Sequence, residues 1–336
     1  MLRLSGFWYI AAPSAELRNR PIRREVEGEP LALFRDAAGR ARALLDRCAH
    51  RGMALSQGRV AGDCLQCPYH GWTYDGRGAL WSVPALPDGE STPRVSLRSF
   101  PVVEQDDHLW VWLGAEPPSS GPCRFPYHGE PGWRTFFMHT RFAAPVEACL
   151  ENFLDVPHTQ FVHPGLFRGP APRPTRVAVE RDADGVTAIF LDEAPLQGLG
   201  PRLMFPKGAT MRHTDRFLLP SISRVDYAFG DEHRFVITSQ CTQRADDVTD
   251  VTTAITWRLP VPGWIARPFL RWYCGRVIRQ DVDILKIQGE QLRRFGPAMT
   301  NTEADVLGPH IRDLRRRAAE GPAVPVEARC EVVMRV

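Results

Sequence analysis

Cysteine and histidine occur together twice near the start of the chain, as Cys48-Ala-His50 and, after sixteen intervening residues, as Cys67-Pro-Tyr-His70. Each clip is followed closely by glycine, at Gly52 and Gly71. Two thiolates and two imidazoles in the order C-x-H…C-x-x-H suit a [2Fe–2S] cluster whose one iron takes both cysteines and whose other iron takes both histidines. Imidazole is neutral where thiolate is negative, so this ligand set raises the reduction potential far above that of an all-cysteine cluster. The chemistry implied is electron relay. A structural zinc site is the rival reading, because two cysteines and two histidines also suit zinc. Zinc ligands more often come as a cysteine pair followed by a histidine pair, whereas each clip here mixes the two.

A second group of donors lies in Glu151-Asn-Phe-Leu-Asp155-Val-Pro-His158-Thr-Gln-Phe-Val-His163-Pro164. Positions three and four apart share a helix face, which aligns Glu151, Asp155 and His158. Pro157 disfavours helical backbone at Val156 and Pro164 stops any continuation, so the chain is expected to bend and turn His163 back towards whatever His158 binds. Two histidines and a carboxylate from elsewhere make the facial triad of non-haem Fe(II) oxygenases, which leaves positions open for O2 and water. Taken singly, either histidine reads as an ordinary packed or surface residue; a redox cluster on the same chain shifts the balance towards metal.

The third ligand is sought in the helical segment Arg276–Gln288, which carries Asp281 and Asp283. Asp281 has Val277, Ile278, Ile284 and Leu285 at three- and four-residue spacing and therefore faces inward; Asp283 has Arg279, Gln280, Lys286 and Ile287 there and faces solvent. A carboxylate on a buried face needs a cation. Iron serves, and so does an arginine, so a buried Asp281–Arg pair stays open.

The elements that must hold these groups divide at a Pro/Gly/Ser-rich stretch, 116–122. Residues 1–115 read as β-rich, with short strands at Leu31–Phe34, 42–45 and 109–113, a strand leading into each clip and an Asp75-Gly76 turn after the second. Residues 123–336 mix strands, expected at 177–179, 186–191, 217–228, 233–243 and 249–259, with helices leading into His158 and over 272–295. The 336 residues leave room for two domains, and 43% hydrophobic with 24% charged residues is ordinary for a globular chain. A net charge of +3 implies no strong field for nucleic acid or membrane. The run Arg312–Arg317 reads as a solvated helix face. Of the eight cysteines, two sit in the clips, and the other six, scattered without framework spacing, point to free thiols and a cytoplasmic setting. No stretch approaches the ~18 apolar residues of a membrane span.

Both motif groups together resemble the catalytic α-subunit of a Rieske non-haem iron oxygenase. The resemblance rests on C-x-H…C-x-x-H-G-W, on E-N-x-x-D-x-x-H-x4-H and on a Q-D-x-x-I-L helix, in that order along the chain. It implies an α+β chain: an N-terminal all-β Rieske [2Fe–2S] domain, then a START-like helix-grip domain with a curved antiparallel sheet around a substrate cavity. It implies that Cys48, His50, Cys67 and His70 hold the cluster and that His158, His163 and Asp281 hold a mononuclear Fe(II). Asp155 then matches the family's bridging aspartate, bonded to His158 and, across a homotrimer interface, to a Rieske histidine of the next subunit, His70. Asn152 is an outer partner of the iron, and Trp72 shields the cluster. The implied activity is O2-dependent hydroxylation or oxidative demethylation of a small organic, aromatic substrate in aromatic-compound catabolism. Electrons come from NAD(P)H through a separate reductase, with or without a ferredoxin. A Rieske electron carrier fused to a START-like ligand-binding module, with no oxygen chemistry, is the alternative.

Overall fold

Short apolar runs, punctuated by glycine and aspartate turns, leave the first third of the chain too little continuous periodicity for long helices. The computed structural model describes residues 2–87, 90–167, 172–194, 196, 210–297, 299–321 and 327–336. It shows two units, Arg3–Arg124 and Phe125–Val336.

The first unit is all β: β1 (Trp8–Pro13), β2 (Ile22–Val26), β3 (Glu29–Arg35), β4 (Ala41–Leu45), β5 (Arg59–Ala61), β6 (Cys64–Gln66), β7 (Thr73–Tyr74), β8 (Leu80–Ser82), β9 (Ser99–Phe100), β10 (Val102–Gln105) and β11 (His108–Trp112). They form three sheets, ordered β1-β11-β10, β2-β3-β4-β9 and β5-β6-β7-β8. Tyr9, Leu31, Leu33 and Val111 anchor one core cluster. Phe34, Leu55, Leu65 and Tyr74 anchor a second, into which Cys48 and Cys67 are packed. The last sheet thus carries both clips, one in the loop before β5 and one between β6 and β7. Cys64 is a buried strand residue on β6.

The second unit comprises β12 (Arg134–Phe142), α1 (Val146–Leu154), α2 (Thr159–Val162), β13 (Pro174–Arg181), β14 (Gly185–Phe190), β15 (Met211–Leu218), β16 (Ile222–Phe229), β17 (His233–Ala245), β18 (Val248–Arg258), α3 (Gly263–Phe295), α4 (Gly308–Glu320) and β19 (Ala328–Arg335). All eight strands join one antiparallel sheet, ordered β12-β18-β17-β16-β15-β14-β13-β19. Residues of α1, α3 and α4 pack with strand side chains in two apolar clusters. At Gly289 of α3 an added Cβ would stand 2.4 Å from the Ala143 carbonyl oxygen, so glycine sets how closely this helix approaches the chain before α1.

Three local expectations are corrected. The stretch 217–228 is not one strand: β15 ends at Leu218, and a turn through the cis peptide Leu219-Pro220 precedes β16. Proline cannot donate to a ladder. The long helix begins at Gly263, not 272, and runs through Pro268, where one intrahelical N–H bond is lost. Arg315 is not solvated: it is 1% exposed, with Nε 3.1 Å from Glu147 and Nη1 on the Pro220 carbonyl. No described helix is long and apolar enough to cross a membrane.

Candidate metal centres

The two Cys/His clips are built as matching turns. The Gly52 N–H donates to the Cys48 carbonyl at 2.9 Å and the Gly71 N–H to the Cys67 carbonyl at 3.2 Å. The Cys48 and Cys67 N–H groups donate to the Met53 and Trp72 carbonyls, each at 2.8 Å. Closing each turn needs a left-handed residue, and Gly52 and Gly71 have φ of +73° and +72°. At Gly71 a Cβ would also meet Pro84 Cγ at 2.9 Å. The His50 and His70 rings are 4.5 Å apart, and the Trp72 ring lies flat on His50 at 4.7 Å.

This set fits a cluster better than zinc. Among the described residues only His158, His163 and Asp281 bring three ligand atoms within 4.8 Å of one another, so no three clip residues crowd around one point. A tetrahedral zinc needs four donors at about 2.0–2.3 Å from itself. His50 Nδ1 is buried without a hydrogen-bond partner, an orphaned donor atom that a metal would satisfy. Burial pushes the Cys67 thiol up; the N–H groups of Tyr69 and His70 pull it down, and Cys48 beside it pushes it up again. Tyr74, which carried no motif signal, accepts from the Ala49 N–H at 3.2 Å and reaches Cys48 Sγ at 3.3 Å.

In the second unit, α1 ends at Leu154, and Asp155 is extended (φ −92°, ψ 102°). The expected common helix face of Glu151, Asp155 and His158 is therefore broken, and Glu151 instead pairs with Arg312. The bend does bring the histidines together: His158 Nε2 and His163 Nε2 are 3.3 Å apart. Asp281 Oδ1, from α3, lies 3.1 Å from His163 Nε2 and 3.7 Å from His158 Nε2. Asp281 is 6% exposed while Asp283 is exposed.

The outer partners decide what this trio can do. His163 Nδ1 donates to Gln280 Oε1 at 3.0 Å, and His158 Nδ1 donates to the Asp155 main-chain carbonyl. With both Nδ1 atoms protonated, both Nε2 lone pairs point inward. They meet a carboxylate whose Oδ1 is buried and has no hydrogen-bond partner. Three lone-pair groups converging out of water are mutually repulsive, and a divalent cation relieves them. Gln280 carried only the hint of its place beside Asp281.

Asp155 differs from expectation. Its carbonyl, not its carboxylate, takes the His158 ring bond, and Oδ2 stands 3.8 Å from Nδ1. Burial, with the charge of Asp305, raises this carboxyl to about 6, against the pull of the His158 backbone N–H. Asn152 Oδ1 is buried without a partner nearby.

A cavity of about 120 Å³ is lined by His158, His163, Asp281 and Asn152, and by aromatic side chains that include Phe153. Phe217 is core, and Phe161 is 84% exposed. A cleft of about 550 Å³ runs past Asp155 to His158. Behind the cavity wall sits a feature no motif announced. His213 is fully buried, with Nδ1 2.7 Å from Glu193, Nε2 2.9 Å from Asp215, and its ring stacked between Phe190 and Tyr227 at 4.2 and 4.3 Å.

Comparison with known proteins agrees with this division. Residues 7–101 match the Rieske [2Fe-2S] domain and residues 142–321 the vanillate O-demethylase oxygenase C-terminal domain. The oxygenase component of dicamba O-demethylase from Stenotrophomonas maltophilia is 38% identical over 159 residues, 46% of each chain. The iron-sulfur subunit of the toluene-4-sulfonate monooxygenase system from Comamonas testosteroni is 32% identical over 188 residues, 55% of this chain and 53% of that one. The chain thus spans about half the length of the curated relatives it matches. The crystal structure of dicamba monooxygenase bound to dicamba shares the fold, with a TM-score of 0.79 at 22% identity over 94% of this chain and 98% of that one. With one domain family covering the clips and the other more than half of the chain, the protein belongs to the Rieske oxygenase α-subunits.

Proposed function

We propose that this protein is a Rieske-type oxygenase that uses O2 and externally supplied electrons to hydroxylate or oxidatively demethylate a small aromatic substrate. The observation that carries this reading is the convergence of His158, His163 and Asp281, with an orphaned carboxylate oxygen, at the wall of an apolar cavity. An electron carrier fused to a ligand-binding module has no use for that trio.

In this reading Cys48, Cys67, His50 and His70 hold the [2Fe–2S] cluster, and His158, His163 and Asp281 hold a mononuclear Fe(II). Iron(II) with open coordination positions, supplied with electrons, activates O2. The chain's own residues do the rest. Gln280 and the Asp155 carbonyl fix the tautomers and ring angles of the two histidines. Apolar cavity walls exclude water, and Asn152 offers a polar atom beside the ligands. With a cluster bound, Tyr74 at Cys48 and the Tyr69 and His70 N–H groups at Cys67 would stabilise negative charge on the two cysteine sulfurs.

The electrons come from a separate NAD(P)H-dependent reductase, with or without a ferredoxin. The assembly is a head-to-tail homotrimer in which the exposed His70 of one copy meets Asp155 of the next. The cleft at Asp155 and the exposed Phe161 and Ile287 support such docking.

Metal analysis and O2 uptake test the reading. The protein should hold about three irons per chain, against about two for a carrier, from the two-iron cluster plus a triad site. His158→Ala should remove the third iron and substrate-dependent O2 consumption while sparing the visible spectrum of the cluster. Turnover that survives this change refutes the proposal.

A further inference from the structure

The two Cys/His clips are closed by different means. The second sits between β6 and β7, and those strands pair directly, Gln66 with Thr73. Strand pairing therefore holds both ends of its loop, and the Thr73 hydroxyl adds a bond of 2.9 Å to the Gly71 carbonyl. The first clip has no such ladder. It lies between β4 and β5, which belong to different sheets.

One side-chain pair spans the ends of that first loop. Asp46 follows β4, and Ser56 lies in a short 3-10 turn, Leu55–Gln57, ahead of β5. Asp46 Oδ1 accepts the Ser56 N–H and Oδ2 accepts the Ser56 hydroxyl, both at 2.7 Å. Two bonds from one carboxylate to one residue fix direction as well as distance. Each end is anchored in turn. The Asp46 N–H donates to the Pro30 carbonyl of β3 at 2.8 Å. Past Ser56, a Cβ at Gly58 would stand 2.0 Å from the Gln66 carbonyl oxygen, so the chain there lies against the residue that precedes Cys67. The pair thus ties the first clip to β3 on one side and to the approach of the second clip on the other.

The pair is also buried. The Asp46 side chain is 0% exposed, and Ser56 is buried with it. Arg23 Nε stands 3.9 Å from Oδ2, on a side chain that is half exposed. A carboxylate so placed, two residues from Cys48, puts negative charge beside the first clip.

We propose that Asp46 is a positioning residue for the [2Fe–2S] cluster: its grip on Ser56 holds the loop of Cys48 and His50 in shape, and its buried charge lowers the reduction potential. This rests on the reading of the clips as cluster ligands and not on the oxygen chemistry. Without the carboxylate, the Ser56 N–H and O–H lose their acceptor inside the protein and the loop ends are free to part. A negative charge beside the cluster opposes the electron that reduction adds.

Three variants separate grip from charge. Asp46→Asn keeps both contacts, its oxygen taking the N–H and its NH2 donating to the Ser56 oxygen, but carries no charge. Asp46→Ala removes contacts and charge together. Ser56→Ala removes the hydroxyl bond and keeps the charge. The full chain is loaded with iron and sulfide, its folding is checked by circular dichroism, and loss of the cluster to a ferrous chelator is followed by visible absorbance. Asp46→Ala should lose the cluster roughly tenfold faster than wild type or more, Ser56→Ala severalfold faster, and Asp46→Asn about as slowly as wild type. In voltammetry Asp46→Asn should move the potential to more positive values, and Ser56→Ala should not. Ser56→Ala holding its cluster as long as wild type, or Asp46→Asn losing it as fast as Asp46→Ala, overturns the grip. An unmoved potential in Asp46→Asn, or a positive shift in Ser56→Ala, overturns the charge effect. Where Asp46→Ala does not fold, Ser56→Ala against wild type decides. The reading of the clips fails separately, through a wild-type protein that takes up no cluster.

Discussion

His213 offers a quantitative test of the buried charge inside the second unit. Burial opposes charging of the ring, but Asp215 on one nitrogen and Glu193 on the other outweigh it and raise its pKa from 6.5 to about 9. The folded-state value is above the unfolded one. The charged ring therefore stabilises in full below pH 6.5, and its contribution is lost as the pH rises through 9. At about 1.4 kcal/mol per pH unit the gap corresponds to about 3 kcal/mol. About 2 kcal/mol should remain near pH 7.5, and almost nothing above about pH 9.5. The comparison protein is His213→Gln, which cannot titrate. Urea unfolding of both proteins at about pH 6, 7.5 and 9.5 gives a difference from which most other titrating groups cancel. The wild-type advantage should shrink by about 3 kcal/mol across that range. A difference that stays flat refutes the idea that His213 is held as an imidazolium between two carboxylates.

Three further outcomes follow from the sites. Gln280→Leu leaves the His163 Nδ1–H buried without an acceptor, so iron affinity at the triad should fall by roughly 10–100-fold while cluster absorbance stays, as read by iron titration; unchanged affinity would mean Gln280 does not orient the ring. Gly71→Ala puts a Cβ on a left-handed residue, which costs about 1–2 kcal/mol, and against Pro84, so cluster content measured by visible absorbance should drop. Tyr74→Phe removes the hydroxyl from Cys48 Sγ and should move the cluster potential to more negative values in voltammetry; no movement would show that this bond does not reach the electronic structure.

The clips were legible because their chemistry is local. Donor type, short spacing and a glycine that closes each turn are all written within five residues, and the matching backbone bonds follow from them. Asp281 was legible because helical periodicity separates its apolar neighbours from the polar ones of Asp283. Asp155 was read less well. The side-chain bond to His158 came from the family resemblance and not from local spacing; the backbone extends at Asp155 and turns its carbonyl towards the ring. Arg315 and Pro220 were missed together: the turn that splits the 217–228 stretch leaves a free carbonyl, and the arginine is drawn inward to it and to Glu147.

From sequence alone come the identities of the donors, the redox character of the first set and the break in the helix just before His158. These depend on residue type and on neighbours within a turn or two. Tertiary structure alone decides that Asp281 meets histidines more than a hundred residues earlier and which nitrogen of each ring faces inward. Those facts depend on strand register and helix placement, which are set by burial summed over the whole unit and by no local spacing.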